Sequence, residues 1–205
     1  AGWARYAYVI KAEPVRGSAF VAFTYAGLLL HQGVNAAGIG SIGNALYAKD
    51  ARPGVPKLLS YRRIMNETTI EGAIRAATSS QRAFGNNHLL ANAEGDVHDV
   101  EVTGGRWAMH HAGNRFLSHT NHLVDPVLAE LDKDEDLLNS RLRLKRVERL
   151  VESTWGEIDV PRLKEIMSDH ANYPRSVQAP RAGERSRLRH HRQRHHRRHR
   201  TRPLG

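Results

Sequence analysis

The chain has 205 residues, carries a net charge of +10, is 40% hydrophobic and contains no cysteine. This length suits one domain with a tail. The lack of cysteine excludes a disulfide framework, a zinc–cysteine site, an iron–sulfur cluster and a cysteine nucleophile within these residues. No apolar run approaches the roughly 18 residues that a membrane span needs, and no signal-peptide pattern opens the sequence. We therefore expect no membrane partner and a cytoplasmic location.

In chain order, the sequence predicts a group of strands followed by helices, and then a second group of strands followed by helices. The predicted strands cover residues 6–12, 19–24, 28–32 and 39–46, and then 88–93, 97–103, 106–110 and 116–119. The predicted helices run from Pro56 to about residue 65, from a capping box over 68–71 to residue 77, from 136 to 153, and from a cap at Asp159 to 167. This order favours an α+β fold with antiparallel sheets over an alternating βαβ fold.

Positive charge is concentrated at the C-terminal end. Residues 181–205 contain ten Arg, five His and one acid, so they carry +9 and leave +1 for residues 1–180. Without an apolar face this tail is predicted to be disordered, and the folded domain is predicted to cover residues 1–180. Three interpretations stay open. The tail binds nucleic acid, which would make the chain a non-catalytic basic protein; it binds metal through its His; or it is a non-native end.

Two motifs suggest cofactors but fit them poorly. The glycines of residues 38–43 spell the dinucleotide-binding pattern, yet Pro53 and Pro56 follow too closely for the helix that holds a pyrophosphate. His119 and His122, if they lie on a strand, point to opposite faces and cannot share a metal. We therefore expect no cofactor and no metal site, with one of these His packed and the other exposed.

Asn44 and Asn121 lie at or near the ends of predicted strands, where Asn is otherwise depleted. One interpretation is turn chemistry, because Asn tolerates turn conformations. The other is that a side-chain amide donates a hydrogen bond to a developing oxyanion. The sequence pattern leaves both open.

Five blocks in order together resemble one known family, the isopenicillin N acyltransferase-like N-terminal nucleophile (Ntn) hydrolases. The first block consists of residues 24–29, 33–40 and 44–46, and the second of residues 54–56 with the Leu/Arg-containing helix after them. The others are residues 86–99, residues 119–122, and residues 169–170 with 172–174. The resemblance implies a partial αββα sandwich and an acyltransferase or amidohydrolase that acts on amide or thioester bonds of a small molecule, with acyl-CoA as a possible substrate. It also implies that Asn121 donates to the oxyanion and that Asn44 lines the same site.

The family's nucleophile is an N-terminal Cys, and this chain has none. We therefore expect a fragment of such an enzyme that begins after the Cys segment, departs from the family near residue 178, and is inactive alone. We also expect apolar faces left uncovered and marginal stability.

Overall fold

A computed structural model describes residues 3–112, 116–133, 137–172 and 176–177. The chain divides into two compact units, one of residues 2–140 and the other beginning at residue 141. The basic tail, residues 181–205, lies outside the described residues. Its disorder and the domain boundary at residue 180 therefore stay predictions.

The first unit is built on an antiparallel sheet of eight strands, which confirms the predicted α+β class. The strands are β1 (Ala7–Ala12), β2 (Phe20–Tyr25), β3 (Gln32–Asn35), β4 (Gly40–Ile42), β5 (Ala45–Leu46), β6 (Gly85–Ala91), β7 (Val97–Val102) and β8 (Trp107–His111). Their order across the sheet is β1-β2-β3-β4-β6-β7-β8, and β5 pairs with β6 beside β4.

Two helices, α1 (Lys57–Ile64) and α2 (Ile70–Ala77), cover one face of this sheet. Apolar side chains from alternate strand positions meet the helices there, because successive residues of a strand point to opposite faces. The core that results contains Tyr61 and Ile64 of α1 together with Leu90 and Val100 of the sheet. Short 3-10 helices lie at Trp3–Tyr6 and Leu128–Leu131.

The opposite face of the sheet has two different halves. Across β1 to β4 it presents exposed apolar side chains, namely Val9, Val21, Phe23, Val34 and Ile42. Strand pairing sets Val9 opposite Phe23 and Val21 opposite Val34, so these side chains form one continuous surface. The predicted uncovered apolar face is therefore present. Across β6 to β8 the same face is polar, and residues 119–125 pack on it.

Three local predictions were wrong. Residues 28–31 are irregular and β3 begins only at Gln32, while residues 116–119 form no strand. The cap of α2 is Thr69, whose hydroxyl accepts a hydrogen bond from the Gly72 backbone N–H at 3.1 Å, so the helix begins one residue later than the predicted capping box. The third residue of the helix is then Gly72, which has no side chain to complete such a box.

The second unit contains most of α3 (Leu137–Glu152) and all of α4 (Val160–Met167), and both helices were predicted. Asp159 caps α4 by accepting from the Arg162 backbone N–H at 2.7 Å. Arg146 donates two hydrogen bonds to the carboxylate of Asp169, at 3.0 and 2.8 Å. None of the helices in the described parts of the chain is long and apolar enough to cross a bilayer.

Candidate active site

A break between β4 and β5 sets the position of Asn44. At Gly43 the chain passes so close to β6 that a Cβ would lie 1.9 Å from the Asn87 carbonyl oxygen, so only glycine fits. The next residue, Asn44, accepts a hydrogen bond from the Asn87 backbone N–H at 2.9 Å. This anchors the Asn44 backbone to the centre of the sheet and turns its side chain toward the segment that contains residues 119–122.

Two side-chain amides connect the β4–β5 break with residues 119–122, one donating from each side. Nδ2 of Asn44 donates to the His119 carbonyl at 3.1 Å, and Nδ2 of Asn121 donates to the Ala45 carbonyl at 3.0 Å. Both Asn side chains are half-buried. The structure thus brings together the two residues that the sequence singled out, and each amide is held in a fixed orientation.

The imidazole of His119 anchors residues 119–122 to the sheet. Its Nε2 lies 2.7 Å from a carboxylate oxygen of Glu101, and its Nδ1 lies 2.6 Å from the Thr120 carbonyl. Both neighbours are acceptors, and this arrangement favours the imidazolium form, in which both ring nitrogens donate. Burial alone would lower the pKa of His119. The Glu101 hydrogen bond and the charges of Asp99 and Glu101 outweigh burial and raise it.

Glu101 is fully buried and is the hub of these contacts. Besides His119, it accepts from the backbone N–H groups of Val124 at 2.7 Å and Asp125 at 2.8 Å. Burial would raise the pKa of this carboxyl, but its three donors lower it, so the group stays ionised. One charged side chain on β7 therefore holds residues 119–125 against the sheet.

Asp99, two residues earlier on β7, differs. It is buried and accepts from Nδ2 of Asn87, and burial raises its pKa to about 6. The Oδ1 atom of Asn87 is buried and has no hydrogen-bond partner among the described residues. The sheet below the amide pair thus carries two buried carboxyl groups whose pKa values are shifted in opposite directions.

A second polar cluster lies behind Asn121. Oγ of Ser140 lies 2.8 Å from Nδ1 of His122 and 2.9 Å from the Thr120 hydroxyl, and it accepts from the Asn121 backbone N–H at 2.7 Å. A serine beside a histidine is also the geometry of an activated nucleophile. Ser140 is only 3% exposed, so it positions Asn121 rather than meeting a substrate.

The prediction for the two histidines was therefore wrong in part. His119 and His122 are both buried, because residues 119–122 fold onto the sheet instead of forming a strand. Among the described residues, no three His, Asp or Glu side chains come together in a way that could hold a metal ion.

The dinucleotide-binding pattern also lacks its helix. Its middle glycine lies on β4, and in the described chain the next helix begins only at Lys57. This is the structural mismatch that the prolines predicted, since a pyrophosphate site needs a helix directly after the glycines.

Sequence reasoning missed the residues that support the site. Asp99 and Glu101 alternate with the apolar residues Val100 and Val102 on β7, a pattern typical of a strand with one solvated face. In the structure that face is covered by residues 119–125, and both carboxyls are buried. Nothing local in the sequence indicates a covering segment that lies about 20 residues away.

Comparison with solved structures supplies the fold class. The chain is similar to penicillin V acylase from Agrobacterium tumefaciens, with a TM-score of 0.53 and 12% identity over 84% of this chain and 66% of that one. It also matches a variant of conjugated bile acid hydrolase from Clostridium perfringens, with a TM-score of 0.47 and 12% identity over 73% and 63% of the two chains. The chain thus spans just under two thirds of each neighbour. The likeness to the acylase assigns this chain to the Ntn-hydrolase fold.

The sequence profile of a family called acyl-coenzyme A:6-aminopenicillanic acid acyl-transferase matches residues 4–201. The chain belongs to this family, which confirms the resemblance seen in the sequence. The match continues to residue 201, so it shows no departure from the family near residue 178, where we expected one. A search of curated proteins gives no significant match.

Proposed function

We propose that this chain forms the oxyanion-binding part of an enzyme that transfers an acyl group from, or hydrolyses, an amide or thioester of a small molecule. The observation that carries the proposal is the pair of crossed hydrogen bonds that hold the Asn44 and Asn121 amides between the β4–β5 break and residues 119–122. Membership in an acyl-transferase family supports the reaction class.

In this proposal Asn121 donates to the oxygen of the tetrahedral intermediate, and Asn44 lines the same site. A primary amide carries two N–H donors. When one of them donates to a backbone carbonyl, that hydrogen bond fixes the direction in which the other N–H points. An oxyanion donor works by being oriented before the charge develops. The support from Ser140 and Glu101 supplies that orientation, because together they fix the backbone on both sides of Asn121.

The attacking group does not come from a cysteine of this chain, which has none. We propose that a thiolate supplied by a further segment attacks the carbonyl. The tetrahedral intermediate then breaks the C–N or C–S bond and releases a protonated amine or a thiol, which leaves an acyl-enzyme whose acyl group passes to water or to an amine and frees the thiolate. Residues 1–205 alone are then inactive, although they carry the oxyanion donors. Acyl-CoA fits as an acyl donor of the thioester type.

Turnover of penicillin V and of an acyl-CoA with 6-aminopenicillanic acid, followed by chromatography, tests the proposal. The purified chain should give no product above the blank. The chain joined at its N-terminus to a Cys-first segment encoded upstream in its own reading frame should release product, and the same fusion with that Cys changed to Ala should not. Turnover by residues 1–205 alone, or by the Cys→Ala fusion, would overturn the proposal.

The tail supports a second candidate function on charge alone. Residues 181–205 carry +9 in a chain whose remainder is nearly neutral, and clustered Arg binds phosphates with strong salt dependence. Deleting residues 181–205 should abolish binding to a DNA duplex if the tail binds nucleic acid, and acyl transfer by the fusion should be unchanged. Negligible or salt-insensitive DNA affinity of the full chain would rule this function out.

A further inference from the structure

Asn87 lies between the two parts of the candidate site. The antiparallel register that β4 and β5 share with β6 places Asn44 directly opposite Asn87, and the register of β6 with β7 places Asn87 opposite Glu101. Residues directly opposite each other in neighbouring strands have their side chains on the same face of a sheet. The three polar side chains therefore form one row, which runs from the proposed oxyanion site to the carboxylate that holds residues 119–125.

Asn87 is held at its backbone and at one end of its side chain. Its N–H donates to the Asn44 carbonyl at 2.9 Å, its carbonyl accepts from Nδ2 of Asn86 at 2.7 Å, and its own Nδ2 donates to Asp99. The residue is fully buried, yet Oδ1 of its side chain has no partner in the described part of the chain. An acceptor that is buried without a donor destabilises a fold, so this oxygen needs a donor.

A proton on Asp99 supplies that donor. A neutral carboxyl group has one O–H donor and keeps one acceptor oxygen, while a primary amide offers an N–H and a carbonyl oxygen side by side. Neutral Asp99 and Asn87 can therefore exchange two hydrogen bonds, which leaves no atom of the Asn87 amide unpaired. An ionised Asp99 keeps only the hydrogen bond from Nδ2 and presents a second acceptor to Oδ1.

The surroundings of Asp99 favour the protonated form. Asp99 is buried, and burial raises its pKa to about 6. Among the charged groups that face it in the described chain, His119 of the covering segment and His110 on β8 lower the pKa, whereas Glu101 on β7 raises it. Asp99 therefore gains its proton near pH 6, above the range of an ordinary aspartate.

We propose that Asn87 is a positioning residue of the oxyanion site, and that a proton on Asp99 fixes its orientation through paired hydrogen bonds. Asn87 held in this way fixes the Asn44 backbone and with it the direction of the Asn44 amide. The effect on catalysis rests on the function proposed above, whereas the proton-dependent contact between Asp99 and Asn87 does not. Loss of the proton leaves Asn44 less firmly held.

NMR of the full-length protein, isotope-labelled at asparagine, tests this contact without turnover. The side-chain amide signals of Asn87 and Asn44 should shift together as the pH passes through about 6. In Asp99→Asn, whose amide can pair with Asn87 at every pH, neither signal should shift there. The amide of Asn35 donates to the backbone carbonyls of residues 65 and 67, so its signals should stay constant in both proteins.

Two results of this titration would overturn the proposal. One is an Asn87 signal that is constant in the wild type or that shifts equally in Asp99→Asn. The other is an Asn87 signal that shifts while the Asn44 signal does not, since Asn87 would then not position Asn44.

The Cys-containing fusion tests the consequence for catalysis. Asn87→Leu removes the side-chain hydrogen bonds, so kcat should fall by about tenfold while KM changes by less than about threefold, because Asn87 touches no substrate. The kcat of the wild-type fusion should show an inflection near pH 6 that Asp99→Asn lacks. Asn92→Ala, in an exposed turn, is the control and should leave kcat unchanged.

The outcomes separate this proposal from the proposed reaction. A kcat that Asn121→Ala lowers and Asn87→Leu leaves unchanged would overturn the positioning role alone. An inactive fusion whose Asn87 and Asn44 signals still shift together would refute the proposed reaction alone. If Asn87→Leu fails to fold, the NMR titrations and the pH profiles of the wild type and Asp99→Asn decide.

Discussion

Asp99 and Glu101 lie two residues apart on one strand, both buried, and their carboxyl groups have opposite pKa shifts. Glu101 accepts hydrogen bonds from a histidine and two backbone N–H groups, which lower its pKa, whereas Asp99 has one amide donor and burial raises its pKa to about 6. The number of donors decides the difference, because a buried carboxylate needs several hydrogen bonds to replace its water shell. A sequence shows the two acids but not their donors.

This difference predicts a pH dependence. Because Asp99 has its pKa raised from 3.8 to about 6, its contribution to stability is fully present below pH 3.8 and is lost as pH rises through 6. Asp99→Asn removes this titration and keeps an oxygen to accept from Asn87. Between pH 4 and pH 7 the wild type should lose roughly 2 kcal/mol of unfolding free energy relative to Asp99→Asn, as measured by urea denaturation. Parallel curves for the two proteins across this range would contradict the assignment.

A second prediction concerns Asn35, the buried last residue of β3. Its amide donates to the carbonyls of Met65 and Glu67, and its oxygen accepts from the backbone N–H groups of Ala37 and Ile39. Asn35→Ala should lower the free energy of unfolding by roughly 2 to 4 kcal/mol, because buried backbone groups lose their partners. Asn92→Ala is the matched control in an exposed turn and should cost about 1 kcal/mol or less. Equal losses would show that the buried contacts contribute nothing special.

Elements were predictable where a local pattern determined them. Strands β1, β2, β6, β7 and β8 and all four helices were found within a few residues of their observed ends, because alternation and helical spacing are local signals. Residues 116–119 were wrongly predicted as a strand. Phe116 and Leu117 suggested a strand because aromatic and apolar residues are common there. The contact of His119 with Glu101 and the hydrogen bond that Ser140 accepts from the Asn121 backbone N–H hold the segment in an irregular path instead. The Asn44–Asn121 pairing belongs to the same category, since only the folded sheet brings the two segments together.

The start of α2 gives a prediction at this scale. Thr69 caps the helix, whereas Thr68, which the sequence pattern favoured, makes no capping hydrogen bond to it. Thr69→Ala should lower the free energy of unfolding by about 1 kcal/mol, and Thr68→Ala should change it by less than about 0.5 kcal/mol. Thermal or urea denaturation of the two variants measures the difference. A larger loss of unfolding free energy in Thr68→Ala than in Thr69→Ala would instead support the capping box predicted from the sequence.

At the scale of the whole molecule, the central feature is a sheet whose two faces are covered to different extents. Helices α1 and α2 bury one face, and on the other a polar half is covered by residues 119–125 while the apolar half over β1 to β4 stays exposed. The α+β class was predictable from the order of the elements, and the Ntn-hydrolase fold was what the resemblance of short motifs to a known family implied. The burial of the polar half was not, because it depends on a loop that no periodicity marks.

The exposed apolar half of the sheet face predicts self-association, since large contiguous apolar patches on a protein surface tend to bind one another. Val34→Lys places a charge in the middle of this surface, where Val34 is 49% exposed and pairs with Val21. We expect it to reduce concentration-dependent association in sedimentation velocity with little change in stability. Val15→Lys adds the same charge at a fully exposed residue outside the strands and should leave association unchanged. Similar self-association of both variants would show that this apolar surface does not cause it.

The most direct test of the central claim is the kcat of the Cys-containing fusion carrying Asn121→Ala, with KM and unfolding free energy measured on the same protein. If the Asn121 amide donates to the oxyanion, kcat should fall by about 10² to 10³ while KM changes less than about threefold. Ser153→Ala, at an exposed residue of the second unit, serves as the control and should leave kcat unchanged. A kcat for Asn121→Ala within about threefold of the wild type would contradict the account.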